Sequence, residues 1–206
     1  MPGGERIVTQ SKGRYPTPLT RLDERCALIA IDLQKGIVGL PTVHPAVEIV
    51  ARTAQLANAF RDRGRPVVLV NVSGMAPGRT DAGPRNTSFP DGWAEIVPEL
   101  GPQVGDILIT KQRWGAFLGT DLDSELRRRG VTQIVLTGVA TSIGVESTAR
   151  SAYDLGYNVA LVLDAMTDRD AGSHRNSVEK IFPRLGETAT TADVLRLLKE
   201  PRGAVS

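Results

Sequence analysis

Continuous apolar runs of strand length alternate along the chain with segments whose apolar residues recur at helical spacing. The runs predict strands at 26–32, 66–72, 106–110, 133–139 and 158–165, and a further short strand is expected near 187–190. The helical spacing predicts helices at 45–63, 121–129, 143–155, 172–182 and 191–200. Because the strand runs do not alternate with polar residues, each strand is expected to be buried on both faces, which is typical of a parallel sheet covered by helices. The pattern therefore predicts a three-layer α/β/α domain.

The composition divides the chain into three parts. Residues 1–24 are polar, rich in Gly and Pro and without a period, so we interpret them as an arm, followed by one domain at 25–200 and a frayed tail at 201–206. Inside the domain, residues 73–105 are rich in turn-forming residues, and the segment is longer than an ordinary connection. This loop is therefore a candidate lid over a functional site.

Composition and charge narrow the class of protein. The 206 residues are 41% hydrophobic and carry a formal net charge of +2, with no like-charge run longer than Arg127, Arg128 and Arg129, so nothing indicates a nucleic acid partner. A single cysteine, Cys26, excludes an internal disulfide framework, and two histidines leave little for a zinc centre. With no apolar signal segment and no run long enough to span a membrane, we expect a soluble, cytoplasmic protein with no membrane partner.

Ligands of open α/β sheets bind beyond the carboxyl ends of the strands, and this rule selects the candidate site. Asp32 ends the first strand, Lys111 ends the third, and the fourth runs into GVATSIGV, where a helix begins. Arg79 and Arg85, in the loop after the second strand, are candidate anchors for a carboxylate. Position alone leaves other interpretations open, because Asp32 could cap a turn and Lys111 could be a solvated residue at a strand end.

Two aromatic residues follow the third strand. Trp114 and Phe117 could belong to the core, but their position in a loop just past a strand end favours the wall of a pocket.

Three segments, taken together, resemble the isochorismatase-like hydrolase superfamily: ALIAIDLQKGI at 27–37, ITKQRWGAFLGTDLDSELRRRGV at 109–131, and TGVATSIGVESTARSAYDLGYNVALVLDAMTDRD at 137–170. The resemblance implies a Rossmann-like, six-stranded parallel sheet in the order 3-2-1-4-5-6. It also implies that Asp32 and Lys111 are catalytic, and that Val139–Ala140 is a non-proline cis peptide. Gln34, Val139, Ala140 and Thr141 are then expected to bind the substrate. Members of the family are usually oligomers, so we expect a homo-oligomer.

Most members of the family carry a nucleophilic cysteine at the start of the helix after the fourth strand, and here that position is Gly144. Cys26 cannot replace it, because it lies six residues before Asp32 on the same strand, about 20 Å away. The family's metal motif is also missing after the second strand, so we expect no metal and no cofactor.

A glycine at this position resembles the isochorismatases and aminodeoxyisochorismate hydrolases, which cleave a vinyl ether without an acyl nucleophile. Two hypotheses follow for a small-molecule substrate or ligand. In the first, the protein is a cofactor-free hydrolase in which Asp32 acts as the general acid. In the second, it is a catalytically silent relative that binds a small molecule or serves in assembly.

Overall fold

The computed structural model describes residues 19–81 and 88–200. Its strands are β1 (Cys26–Ile31), β2 (Val67–Val72), β3 (Ile107–Lys111), β4 (Gln133–Val139), β5 (Asn158–Thr167) and β6 (Glu187–Ala189). Its α-helices are α1 (Lys35–Val38), α2 (Ala46–Arg61), α3 (Leu122–Arg128), α4 (Glu146–Asp154), α5 (Ala171–Asn176), α6 (Phe182–Leu185) and α7 (Thr191–Lys199). A 3₁₀ turn forms at Pro98–Leu100, and π-helical turns form at Thr141–Val145 and Ser177–Ile181.

The six strands form one parallel sheet in the order β3-β2-β1-β4-β5-β6, which confirms the expected topology. The register places Ile31, the last residue of β1, beside Val70 of β2 and Gly138 of β4. The carboxyl ends of the central strands therefore meet at one edge, where Asp32 follows β1.

The apolar residues of the sheet divide between two cores, one on each face. Along β1, Cys26, Leu28 and Ala30 belong to one core, whereas Ala27, Ile29 and Ile31 belong to the other. Helices α2 and α7 pack on the first face, and α3, α4 and α6 pack on the second. Burial on both faces explains why the strand runs are continuously apolar.

Strand β3 departs from this pattern. It lies at the edge of the sheet, and its side chains alternate between buried and exposed positions, with Leu108 67% exposed. The expectation of burial on both faces is therefore wrong for this strand, because no helix of the described chain packs over the outward side of Leu108.

Local details differ from the sequence expectation in three places. Strand β5 runs two residues past the predicted end at 165, and the short helix α1 was not predicted. The helix predicted at 172–182 is instead two short α-helices joined by the π-helical turn Ser177–Ile181.

The ends of the chain are described only in part. The structure begins at Leu19, which is buried and whose backbone amide donates to the carbonyl oxygen of Thr188. Most of the predicted arm, at 1–18, and the predicted tail at 201–206 lie outside the described residues. Within the described ranges, no helix is long and apolar enough to cross a membrane.

Candidate active site

A cavity of about 310 Å³ opens at the carboxyl ends of β1, β3 and β4. Its lining combines the charged residues Asp32, Lys111, Arg113 and Arg169 with a largely apolar wall. The remaining lining residues are Ile37, Leu40, Thr42, Val72, Gly74, Met75, Phe89, Trp93, Trp114, Val139, Ala140, Ile143 and Gly144. A mostly apolar cavity with a few charged groups is the usual form of a small-molecule site.

Asp32 and Lys111 form a buried ion pair at the floor of this cavity. Lys111 Nζ donates to Oδ2 of Asp32 at 2.8 Å and to the carbonyl oxygen of Arg113 at 3.0 Å. Asp32 has a φ of 54°, in the left-handed region that aspartate adopts more readily than most residues, so the chain turns sharply where β1 ends. The sequence placed Asp32 and Lys111 at the same edge of the sheet, and in the structure their side chains are in contact.

Burial controls the protonation of Asp32. Removal of the carboxyl from water raises its pKa to about 6, although the Lys111 cation opposes this shift. Its Oδ1 atom is buried and, among the described residues, has no hydrogen-bond partner. Asp32 can therefore exchange a proton near neutral pH, and one of its oxygens is available to a bound molecule.

Gly144 faces this carboxyl. It lies in the π-helical turn Thr141–Val145, just after the Val139–Ala140 peptide, which is cis as expected. A β-carbon placed on Gly144 would lie 3.2 Å from Oδ2 of Asp32 and 2.9 Å from Cγ2 of Ile31. Any side chain at this position would therefore point at Asp32.

Side chains from the end of β5 and from α5 hold this turn in place. Oδ2 of Asp168 accepts a hydrogen bond from the backbone amide of Ser142 at 2.6 Å. Nδ1 of His174 lies 2.9 Å from the hydroxyl of Thr141, and the His174 ring packs edge to face against His44. Thr141 and Ser142, the first two residues of the turn, are thus held by side chains from two neighbouring elements.

Three residues expected to bind substrate do not line the cavity. The side chain of Gln34 is buried and ties β1 to β2 by accepting from the amide of Val72 and donating to its carbonyl oxygen. Phe117 packs in the core against Tyr157, and Thr141 is buried beside His174. These expectations are corrected because all three side chains are taken up by packing beneath the site.

Other residues that line the cavity were not predicted from the sequence. Trp93 comes from the loop at 73–105 and stacks on Phe89, so both tryptophans of the chain line the cavity. Arg113 and Arg169, rather than the anchor candidate Arg79, are the lining arginines, and neither of their guanidinium groups has a hydrogen-bond or ion-pair partner within the described ranges. The other anchor candidate, Arg85, lies outside the described residues.

The predicted positions of Trp114, Val139 and Ala140 agree with the cavity, since all three line it. The only sequence signal for Arg113 and Arg169 is that each is the second residue after the end of a strand.

The single cysteine is remote from the cavity. Cys26 begins β1 and is fully buried at the opposite end of that strand from Asp32, where burial raises the pKa of its thiol. In the part of the chain that the structure describes, no group of three or more His, Cys, Asp or Glu side chains is arranged to hold a metal ion.

Comparisons with known proteins agree with this fold. The model of the isochorismatase domain family matches residues 26–193. The uncharacterized isochorismatase family protein YwoC of Bacillus subtilis is 43% identical over 184 residues, covering 85% of this chain and 95% of YwoC. The ureidoacrylate amidohydrolase RutB of Stutzerimonas stutzeri is 33% identical over 181 residues, covering 73% of each chain.

A solved structure of an isochorismatase family protein from Burkholderia thailandensis is also similar. It superimposes with a TM-score of 0.85 at 48% sequence identity, covering 87% of this chain and 98% of that one.

Proposed function

The chain belongs to the isochorismatase family of hydrolases, and we propose that it hydrolyses a small metabolite without a cofactor and without a covalent cysteine intermediate. In this proposal Asp32 transfers the proton, Lys111 stabilises the charge of Asp32, and the backbone at Gly144 contacts the substrate. Cleavage of a vinyl ether is the reaction that this arrangement favours.

The geometry of Gly144 and Asp32 carries the proposal. The position that would present a side chain to the Asp32 carboxyl has none, since a β-carbon there would lie 3.2 Å from Oδ2. Cys26 lies at the far end of β1, and Thr42, which lines the cavity, donates its hydroxyl proton to the carbonyl oxygen of His44 at 2.7 Å. Among these groups, the buried carboxyl of Asp32 is therefore the one that can donate or accept a proton. None of them can serve as a nucleophile for acylation.

Vinyl ether hydrolysis requires an acid and a water molecule but no covalent bond to the protein. A protonated Asp32 would give its proton to the terminal carbon of the double bond, which leaves an oxocarbenium ion. Water then adds to the cationic carbon and loses a proton to the Asp32 carboxylate, and the hemiketal collapses to a ketone and an alcohol. A pKa of about 6 suits both steps, because Asp32 can give up a proton and take one back near neutral pH.

The cavity also favours a carboxylate on the substrate. Arg113 and Arg169 bring two guanidinium groups to an otherwise apolar wall, and guanidinium binds carboxylate through paired hydrogen bonds. A similar protein, RutB of Stutzerimonas stutzeri, is named for ureidoacrylate, which is itself a small carboxylate. We therefore propose a small, unsaturated carboxylate that rests against Trp93 and Trp114.

A substrate panel with an Asp32→Asn variant tests the proposal. The panel contains isochorismate, aminodeoxyisochorismate, ureidoacrylate, nicotinamide and small carbamoyl amides, with product formation measured by chromatography. We expect a vinyl ether to be turned over, the amides to be inert, and Asp32→Asn to lower kcat by about 100-fold or more. Asp62→Asn, which changes an aspartate at the end of α2, is the matched control and should retain full activity.

Two outcomes of the panel would contradict the proposal. Turnover of an amide would contradict the lack of a nucleophile. Binding of panel members without turnover, in both the wild type and Asp32→Asn, would instead support a silent small-molecule-binding protein.

A further inference from the structure

A second cavity lies at the opposite end of the sheet from the candidate active site. It has a volume of about 640 Å³ and opens where β1 and β2 begin. Five arginines line it: Arg25, Arg61, Arg63, Arg65 and Arg129. Nothing in the proposed reaction uses these residues, because the cavity lies at the Cys26 end of β1, about 20 Å from Asp32.

Two of the five arginines form ion pairs with carboxylates. Arg61 donates to both carboxylate oxygens of Asp106, at 3.1 and 2.7 Å, and this pair is largely buried. Arg129, the residue that follows α3, forms an ion pair with Glu125 of that helix. These two arginines therefore already have a structural role, because their ion pairs stabilise the wall of the cavity.

The other three arginines have no carboxylate partner in the described part of the chain. Arg63 donates to the carbonyl oxygen of Leu198, and Arg65 donates to Sγ of Cys26 at 2.5 Å and to the carbonyl oxygen of Asp23 at 3.2 Å. No described carboxylate lies within ion-pair distance of either side chain, and the same holds for Arg25, which is exposed. Three guanidinium groups without a carboxylate partner thus belong to residues that line one concave surface.

Neighbouring negative charge is too small to account for them. Glu24 is the one carboxylate in the described lining that is not paired with an arginine. Helices α2, α3 and α7 end nearby, at Arg61, Arg128 and Lys199, and the carboxyl end of each helix carries a partial charge of about −0.5. Those partial charges and Glu24 together leave the cavity positively charged.

We propose that this cavity binds a small metabolite that carries two or more phosphate groups. A concave surface with several guanidinium groups that have no carboxylate partner suits a compact polyanion, because guanidinium can form paired hydrogen bonds with phosphate oxygens. The three arginines lie at two places in the fold, before β1 and between α2 and β2, so adjacent phosphates can be held from both sides.

Titration calorimetry with inorganic pyrophosphate and with ADP tests the proposal on the whole chain. We expect both to bind, with an affinity that falls as salt is raised because the contact is between charges. The Arg25→Gln/Arg63→Gln double variant should weaken pyrophosphate binding tenfold or more. Arg196→Gln, which removes an exposed arginine paired with Glu200 on α7, is the matched control and should change binding less than twofold.

Tryptophan fluorescence separates this cavity from the active site. Both tryptophans line the active-site cavity, so pyrophosphate bound at the arginine cavity should leave their emission unchanged. The proposal is overturned if pyrophosphate gives no heat of binding, or if the double variant binds as tightly as the wild type. It is equally overturned if pyrophosphate quenches the tryptophans and Arg113→Gln/Arg169→Gln abolishes that quenching.

Discussion

Lys111 Nζ donates to Oδ2 of Asp32 at 2.8 Å, although strand β2 lies between the strands that carry these two residues. Neighbouring strands are about 4.8 Å apart, so the two backbones are separated by about 10 Å at this edge. The long side chain of Lys111 crosses that gap beneath the cavity, where it is only 2% exposed. The pair is therefore a fixed part of the cavity floor rather than a surface contact.

The pH dependence of turnover should report the protonation of Asp32. If Asp32 is the general acid, the active form is the protonated carboxyl, whose fraction falls from half at pH 6 to about a tenth at pH 7. We therefore expect kcat/KM to be level below about pH 5 and to fall about tenfold per pH unit above pH 7. A profile that rises through pH 6 would show that Asp32 acts first as a base.

Loss of the Lys111 cation should destabilise the protein most at high pH. Lys111→Met leaves the Asp32 carboxylate buried without a partner, so we expect the free energy of unfolding to fall by about 3–5 kcal/mol at pH 8. At pH 5 the loss should be smaller, because Asp32 takes up a proton and is then buried as a neutral acid. Urea unfolding at the two pH values measures the difference.

The sign of this effect follows from the raised pKa of Asp32. The folded protein holds this proton more tightly than the unfolded chain, so the stabilising contribution is complete below about pH 4 and is lost as the pH rises through about 6. Lys111→Met removes the cation and so raises the pKa of Asp32 in the folded protein further. The stability of this variant therefore continues to fall to a higher pH than the stability of the wild type. Lys35→Met, which breaks an exposed ion pair with Glu95, is the control and should cost at most about 1 kcal/mol. Equal losses at pH 5 and pH 8 for Lys111→Met would contradict the assigned charge of Asp32.

A thiol introduced at Gly144 should be reactive. Gly144→Cys would place its β-carbon beside Asp32, which can accept the thiol proton while Lys111 stabilises the thiolate. We expect alkylation by iodoacetamide at pH 7 to be at least about tenfold faster than for the buried Cys26, with modified peptides measured by mass spectrometry. The protein should fold, with a lower melting temperature, because Cγ2 of Ile31 must move away from a β-carbon at 2.9 Å.

Gly144→Ser controls for the added volume at this position. It should lower the melting temperature by a similar amount without adding a fast-reacting group. If the thiol of Gly144→Cys is no more reactive than that of Cys26, then Gly144 does not face the Asp32 and Lys111 pair.

Ligand binding should depend on Arg113 and Arg169. Benzoate and benzamide are matched aromatic probes that differ in charge, and quenching of Trp93 and Trp114 measures their binding. We expect Arg113→Gln and Arg169→Gln each to weaken benzoate binding about tenfold, because each removes a charge-assisted hydrogen bond, and to leave benzamide binding unchanged.

Arg79→Gln is the control for this experiment, since Arg79 is a loop arginine that does not line the cavity. Equal weakening of benzoate and benzamide would indicate a change in cavity shape instead of a lost charge. If Arg79→Gln weakened benzoate binding, Arg79, in the loop after β2, would be a residue that binds the carboxylate.

The sheet and the central pair of the site could be predicted from sequence because they depend on local pattern. A strand buried on both faces is apolar at most positions, so β1, β2, β4 and β5 could be predicted from their runs. Strands β3 and β6 lie at the two edges of the sheet, where β3 alternates between buried and exposed positions and β6 is only three residues long. Asp32 and Lys111 end such runs, and parallel strands bring their carboxyl ends to one edge. The matched segments placed Gly144 at the same edge.

Only the tertiary structure decided which side chains near the strand ends face the cavity. Gln34 and Phe117 lie within six residues of Asp32 or Lys111, as several lining residues do, yet both are buried away from the cavity. Trp93 reaches the cavity from a loop without periodicity. In a strand or helix the repeat of the backbone sets the direction of each side chain, whereas in a loop that direction depends on packing against distant parts of the chain.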